Sequence, residues 1–185
     1  MNEETKLFDL DKPLHLLPLT APLMNQRLPE FDFENPTEDP LKIKDALLLK
    51  LQQLDAAGLS ANQVGLPYRV FVYGTRLNPV VCFNPKIMGV SAETVLFKEG
   101  CVSLPGVWLM LSRPASVMVA YQTETGEIKA LELVGIEARV FQHEMDHMEG
   151  RNFTMLASKL KIDMAVKRMK KAVRKHNRVR SADIV

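Results

Sequence analysis

A chain of 185 residues and 20.9 kDa, 46% hydrophobic, can bury one core and is short for two, so a single domain spanning 1–185 is expected. Two cysteines, Cys82 and Cys101, exclude a disulfide framework, and no apolar run approaches the roughly 20 residues of a bilayer span. No charged-then-apolar leader is visible, which makes the cytoplasm the expected compartment. The net charge of +2 combines +9 on residues 150–185 with −7 on the rest, so a basic tail follows an acidic body.

Residues 1–38, with prolines at 13, 18, 22, 29 and 36, read as an extended arm lying on the surface. Asp39-Pro40 starts a helix whose stripe is Ile43, Leu47, Leu51 and Leu54, with Gly58 placed to end it. Short β-rich runs follow at 69–73, 80–83, 86–90, 93–97, 116–122 and 128–133, the last two joined by a turn at Thr123-Glu124-Thr125-Gly126. Val134 to Met148 reads as a buried helix with Ile136, Val140, Phe141 and Met145 inward. A basic C-terminal helix, about 157–177 and within 156–180, sets Ile162, Ala165, Val166, Met169, Ala172 and Val173 on one face. The fold class is therefore α+β: small mixed or antiparallel sheets around a central helix, with one helix in the N-terminal half and a long one at the C-terminus.

The central helix carries His143-Glu144-Met145-Asp146-His147. Histidines at i and i+4 share a face one turn apart and can chelate one metal ion, with Glu144 free for proton transfer. A catalytic site of this kind usually has three protein ligands and an open position. Phe153 stands where the zincin pattern needs a third histidine, which disfavours a zinc endopeptidase. Asp163, in the basic tail, is a weak substitute. Cys101 is better placed, in Glu99-Gly100-Cys101-Val102-Ser103-Leu104-Pro105-Gly106, where Gly and Pro suit a tight backbone; its bland alternative is a small buried hydrophobe, the reading kept for Cys82.

Three stretches in order, Gly58-Leu59-Ser60-Ala61-Asn62-Gln63, Glu99-Gly100-Cys101-Val102-Ser103 and Gln142-His143-Glu144-Met145-Asp146-His147-Met148-Glu149-Gly150, resemble the signature motifs of peptide deformylases. The resemblance is close over residues 40 to 155. It implies hydrolysis of the N-formyl group from the formyl-methionine of nascent polypeptides, releasing formate. It also implies one divalent metal held by Cys101, His143 and His147, with metal-bound hydroxide as nucleophile and Glu144 as general base and acid. Gln63 and the Val102 N–H would stabilise the oxyanion. Fe(II) is the ion favoured by the resemblance; zinc, which the donor set suggests by itself, and nickel are alternatives.

Gly58, Phe97, Glu99, Gly100, Ile136 and Val140 are the candidate substrate-binding residues, each with core packing or exposure as the plain alternative. Glu99 either fixes the site's geometry, holds the substrate backbone, or is a solvated strand-end charge. Asp146 is expected to pair with Arg113 or Arg151, and Trp108 to flank the substrate or anchor a core. Ala56 and Ser60 replace a Gly and an Ala usual in the first motif, small residues for small, and Val102 and Met148 replace leucines. The tail resembles the helix by which bacterial deformylases contact the ribosome, through Lys167, Arg168, Lys170, Lys171, Arg174, Lys175 and Arg178; a solvated basic helix explains the same pattern. Neither a membrane nor DNA is an expected partner.

Overall fold

The computed structural model describes residue 10 and residues 12–75 and 77–182. In chain order the main elements are α1 (Pro40–Leu54), β1 (Gly58–Ser60), β2 (Val70–Gly74), β3 (Pro79–Val90), β4 (Thr94–Cys101), β5 (Leu104–Pro114), β6 (Ser116–Gln122), β7 (Ile128–Val134), α2 (Gly135–Met148) and α3 (Lys159–Ala182). β1-β2-β3-β6-β7 form one sheet and β4-β5 a two-stranded ribbon, with every pairing antiparallel. This is the expected α+β class, with α2 central.

The Asp39 side chain accepts from the Leu41 N–H at 2.9 Å and caps α1, whose Ile43, Leu47 and Leu51 pack with Leu59, Val70, Val72 and Phe83 of the large sheet. The helix ends earlier than the glycine predicted. Asp55 takes the left-handed conformation (φ 49°) as its cap, and Gly58 instead opens β1. A second core sets Ala138, Phe141, Met145 and Met148 of α2 on Phe71, Tyr73, Cys82, Val117 and Val119. Phe71 and Phe141 meet edge-on with centroids 4.9 Å apart, a favourable aromatic geometry.

Two of the expected strands are one. The runs at 80–83 and 86–90 join as β3 across a bulge, where Asn84 has φ 51° and Pro85 offers no N–H to the ladder. The Asn84 side chain accepts from the Phe31 N–H at 2.6 Å and donates to the Phe31 carbonyl at 2.9 Å. That clamp shows the arm is more than surface covering. Met24, Leu28 and Phe31 are buried, and Leu28 N–H donates to the Met148 carbonyl at 2.9 Å.

β5 was not among the expected strands. Its buried Val107, Leu109 and Leu111 alternate with exposed Trp108 and Met110, but Pro105-Gly106 and the apolar outer face hide that alternation in the sequence. Ile162, Ala165, Val166 and Met169 of α3 cover the inner face of β5. Ala172 and Val173, placed on the same stripe by periodicity, are exposed instead, because α3 runs on past the residues it packs against. No described helix is long and apolar enough to cross a membrane.

Candidate metal centre and active site

Cys101 ends β4, and the two-residue turn Val102-Ser103 returns the chain into β5, where Leu104 pairs with Cys101. The tight backbone expected around Cys101 is thus a hairpin end. It delivers the thiol to α2, which projects His143 and His147 from adjacent turns with ring centroids 5.3 Å apart. The ligand atoms of Cys101, His143 and His147 all lie within 4.8 Å of one another, and all three residues are buried. Cys101 Sγ is 3.4 Å from His147 Nε2. One thiolate and two imidazoles at this spacing fit a divalent ion with an open position.

The imidazole of His143 is held from behind. Its Nδ1 lies 3.1 Å from Glu99 Oε2, so that a proton on this nitrogen donates to the carboxylate and Nε2 is the ring atom left to face the centre. Glu99 is itself clamped: Arg113 Nε and Nη2 donate to it at 2.8 and 2.9 Å, and Arg139 Nη1 at 2.9 Å. Burial alone would raise the Glu99 pKa, but the His143 hydrogen bond and the two guanidiniums outweigh it and hold the group at about 2. Its carboxylate is therefore committed to His143 and both arginines, which leaves neither the solvated reading nor a free oxygen for substrate. Asp146 accepts from Arg113 Nη1 at 2.8 Å and pairs with Arg151 at 3.2 Å, as its position beside the histidine face implied. Burial, aided by the neighbouring His143, pushes the His147 pKa well down and keeps that ring neutral, the form that ligates metal.

Glu144 is buried and held by Ser60, whose Oγ donates to Glu144 Oε2 at 2.6 Å. Burial pushes its pKa above the usual carboxylate range, opposed by His143 and by the Ser60 hydrogen bond. Gly58 makes this approach feasible: a Cβ there would sit 2.4 Å from Glu144 Oε1 and 2.7 Å from Val140 Cγ1. Ser60 is more than the small-for-small exchange read from the sequence, because a hydroxyl at this position reaches the carboxylate.

Gln63 is fixed in a reciprocal cap in which the Ser60 N–H donates to Gln63 Oε1 at 2.8 Å. Its amide Nε2 is thereby turned to Cys101 Sγ and Ser103 Oγ, each at 3.2 Å. A cavity of about 440 Å³ opens onto this group, lined by Gly58, Gln63, Phe97, Glu99, Gly100, Cys101, Val102, Ile136, Val140, His143 and Glu144. The candidate residues thus converge, with His147 buried behind. Ile136 is a correction to the inward stripe: it is 57% exposed on the first turn of α2, before the buried run that starts at Ala138, and borders the cavity mouth. Ser60, Ser103 and Arg139 escaped the sequence reading. Only Ser60 and Ser103 carried a signal, by lying inside motifs.

The polypeptide deformylase family model matches residues 13–163. The chain belongs to the polypeptide deformylase family. It is 34% identical to a peptide deformylase of Rhizobium meliloti, over 88% of this chain and 94% of that one, and 35% identical to one of Agrobacterium fabrum, over 88% and 96%. Among solved structures, a peptide deformylase of Synechococcus elongatus in complex with actinonin superposes with a TM-score of 0.79 at 31% identity, covering 85% of this chain and 88% of that one. A plant peptide deformylase gives 0.79 at 30% identity over 92% and 94%. Deformylases are metalloenzymes that remove the N-formyl group from nascent peptides, and this chain carries a candidate metal site where such an enzyme needs one.

Proposed function

We propose that Cys101, His143 and His147 hold one divalent ion, and that Glu144, Gln63 and the Val102 N–H carry the deformylation of formyl-methionyl nascent peptides around it. The observation that carries this reading is the buried Glu144 carboxylate, aimed by Ser60 beside three convergent ligand atoms. A divalent ion in such a donor set supplies Lewis acidity and brings the ionisation of its water toward neutral pH. Glu144 accepts the proton of the attacking water and returns it to the departing amine. Its raised pKa suits both directions of transfer. Gln63 Nε2, held beside Cys101 by the cap on Ser60, donates with the Val102 N–H to the oxygen that gains charge as the formyl carbon is attacked. Phe97, Ile136 and Val140 receive the methionine side chain, while the backbones at Gly58 and Gly100 flank the peptide. Glu99 serves this substrate site through His143 alone.

Fe(II) is the ion proposed, on the family resemblance, with zinc or nickel able to occupy the same donors. The endopeptidase alternative loses ground because Phe153 is fully buried against His143, with ring centroids 5.7 Å apart. A structural metal site usually has four protein ligands, and among the described residues only three cluster. We further propose that residues 1–185 act as one catalytic domain and work in the cytoplasm, where nascent chains emerge. The testing experiment is formate release from formyl-Met-Ala-Ser by the metal-loaded protein and by Gln63→Ala. The variant is expected to lose about 10²- to 10³-fold in kcat while its metal content stays the same. Equal kcat in the two proteins would remove Gln63 from the reaction.

The proposed ribosome contact rests on the exposed Lys167, Arg168, Lys170, Lys171, Arg174 and Lys175 of α3; the side chain of Arg178 lies outside the described residues. Truncation near Ser158 would test it poorly, since Ile162, Ala165, Val166 and Met169 cover β5. Reversing Lys170, Lys171 and Arg174 to Glu leaves that cover in place. Co-sedimentation with ribosomes is expected to weaken at least tenfold in that variant and to fall with added salt in the parent. Binding insensitive to both changes would refute the contact.

A further inference from the structure

The wall of the cavity next to Cys101 is a strand edge. Phe97, Lys98, Glu99 and Gly100 border it consecutively, and among the described residues β5 is the one strand paired with β4. Side chains along β4 alternate between two faces. Phe97 and Glu99 turn toward α2, with the Arg139 guanidinium 5.9 Å from the Phe97 ring and Glu99 on His143. Lys98 and Gly100 turn the other way, where Trp108 of β5 lies across them. Lys98 Nζ stands 4.9 Å from the Trp108 ring centroid. A Cβ on Gly100 would sit 2.9 Å from Trp108 Cε3, so the bare backbone is what lets the indole lie there.

The pair is available to a ligand. Trp108 borders the cavity yet remains 53% exposed, and the exposed Lys98 makes no ion pair with any described residue. An extended peptide alongside β4 alternates its side chains with the same period. When its first side chain enters the wall formed by Phe97 and Val140, its second falls on the face of Lys98 and Trp108. An exposed indole offers area to an aliphatic stem, and the ammonium above it offers charge to the end of that stem.

We propose that Lys98 and Trp108 form the subsite for the residue after methionine, and that Lys98 selects a carboxylate there. This rests on the deformylase reading above and gives that reading a substrate preference. Asp55, exposed and also bordering the cavity, is the charge that would oppose it. An exposed pair is weak, so the selection is modest and salt-sensitive.

The test is kcat/KM of the metal-loaded enzyme on formyl-Met-Glu-Ser, formyl-Met-Gln-Ser and formyl-Met-Lys-Ser, at low and high salt, for the parent and for Lys98→Glu. The ratio of Glu to Lys substrate within each enzyme cancels differences in active fraction. In the parent this ratio is expected to be about three- to fivefold at low salt and to approach one at high salt. In Lys98→Glu it is expected to invert. A ratio that is the same in both enzymes, or that favours lysine in the parent, overturns the subsite while leaving deformylation intact. Absence of formate from all three peptides overturns both readings together.

Discussion

Glu144→Gln is expected to fold, to retain its metal and to release formate about 10²- to 10⁴-fold more slowly than the parent. The amide is nearly isosteric with the carboxylate and can still face the Ser60 hydroxyl that now lies 2.6 Å from Oε2. It cannot take a proton from water or give one to the leaving amine. Because Glu144 is not among the three clustered ligands, metal content is the readout that separates a lost proton carrier from a lost site. Single-turnover formate release together with metal analysis checks it. A variant that keeps more than a tenth of the parent kcat would show that proton transfer runs elsewhere.

Glu99→Ala is expected to be the most damaging change outside the reacting groups. It removes the acceptor of the His143 Nδ1–H and leaves two buried guanidiniums, those of Arg113 and Arg139, without their shared carboxylate. Breaking a buried ionic network from one side costs about 3–5 kcal/mol, and loss of such support for a ligand lowers metal affinity about 10- to 100-fold. Arg113 keeps Asp146 and Arg139 keeps the Leu111 carbonyl at 3.1 Å, which places the stability loss toward the lower end. The pH dependence has a definite sign. The folded-state pKa of Glu99 lies at about 2, below its ordinary 4.5, so its contribution is complete above that ordinary value and is lost as pH falls toward 2. Urea denaturation from pH 6 to pH 2 should show a shallower loss of stability in Glu99→Ala than in the parent. Parallel curves would place the acid sensitivity in other carboxylates.

Much of this was legible because the chemistry is concentrated in short segments. Asp39-Pro40 announces α1 by cap and fixed φ, and the i, i+4 spacing of His143 and His147 needs only a helix to bring the rings together. Cys101 stands between Gly and Pro in its motif, which makes it the better candidate for a third ligand, and the physical device that presents its thiol is the end of the β4-β5 hairpin. What escaped was set by tertiary contact. Arg139 looks like any helix-surface arginine until Glu99 is brought to it from 40 positions away. Phe31 is clamped by Asn84 reaching back 53 residues, and no local pattern encodes that contact. Ile136 fits the periodic stripe of α2, yet the helix begins before its cover does, and that residue faces the cavity mouth.

Metal-dependent hydrolysis of a terminal formamide at Cys101, His143 and His147 is most directly tested by one anaerobic titration. The protein is stripped with a chelator, reloaded stepwise with Fe(II), and assayed at each step for bound metal and for formate released from formyl-Met-Ala-Ser. Formate release is expected to be near zero in the stripped protein and to rise in proportion to bound metal up to one ion per chain. Release that persists after stripping, or a fully loaded protein that liberates no formate, would contradict this account.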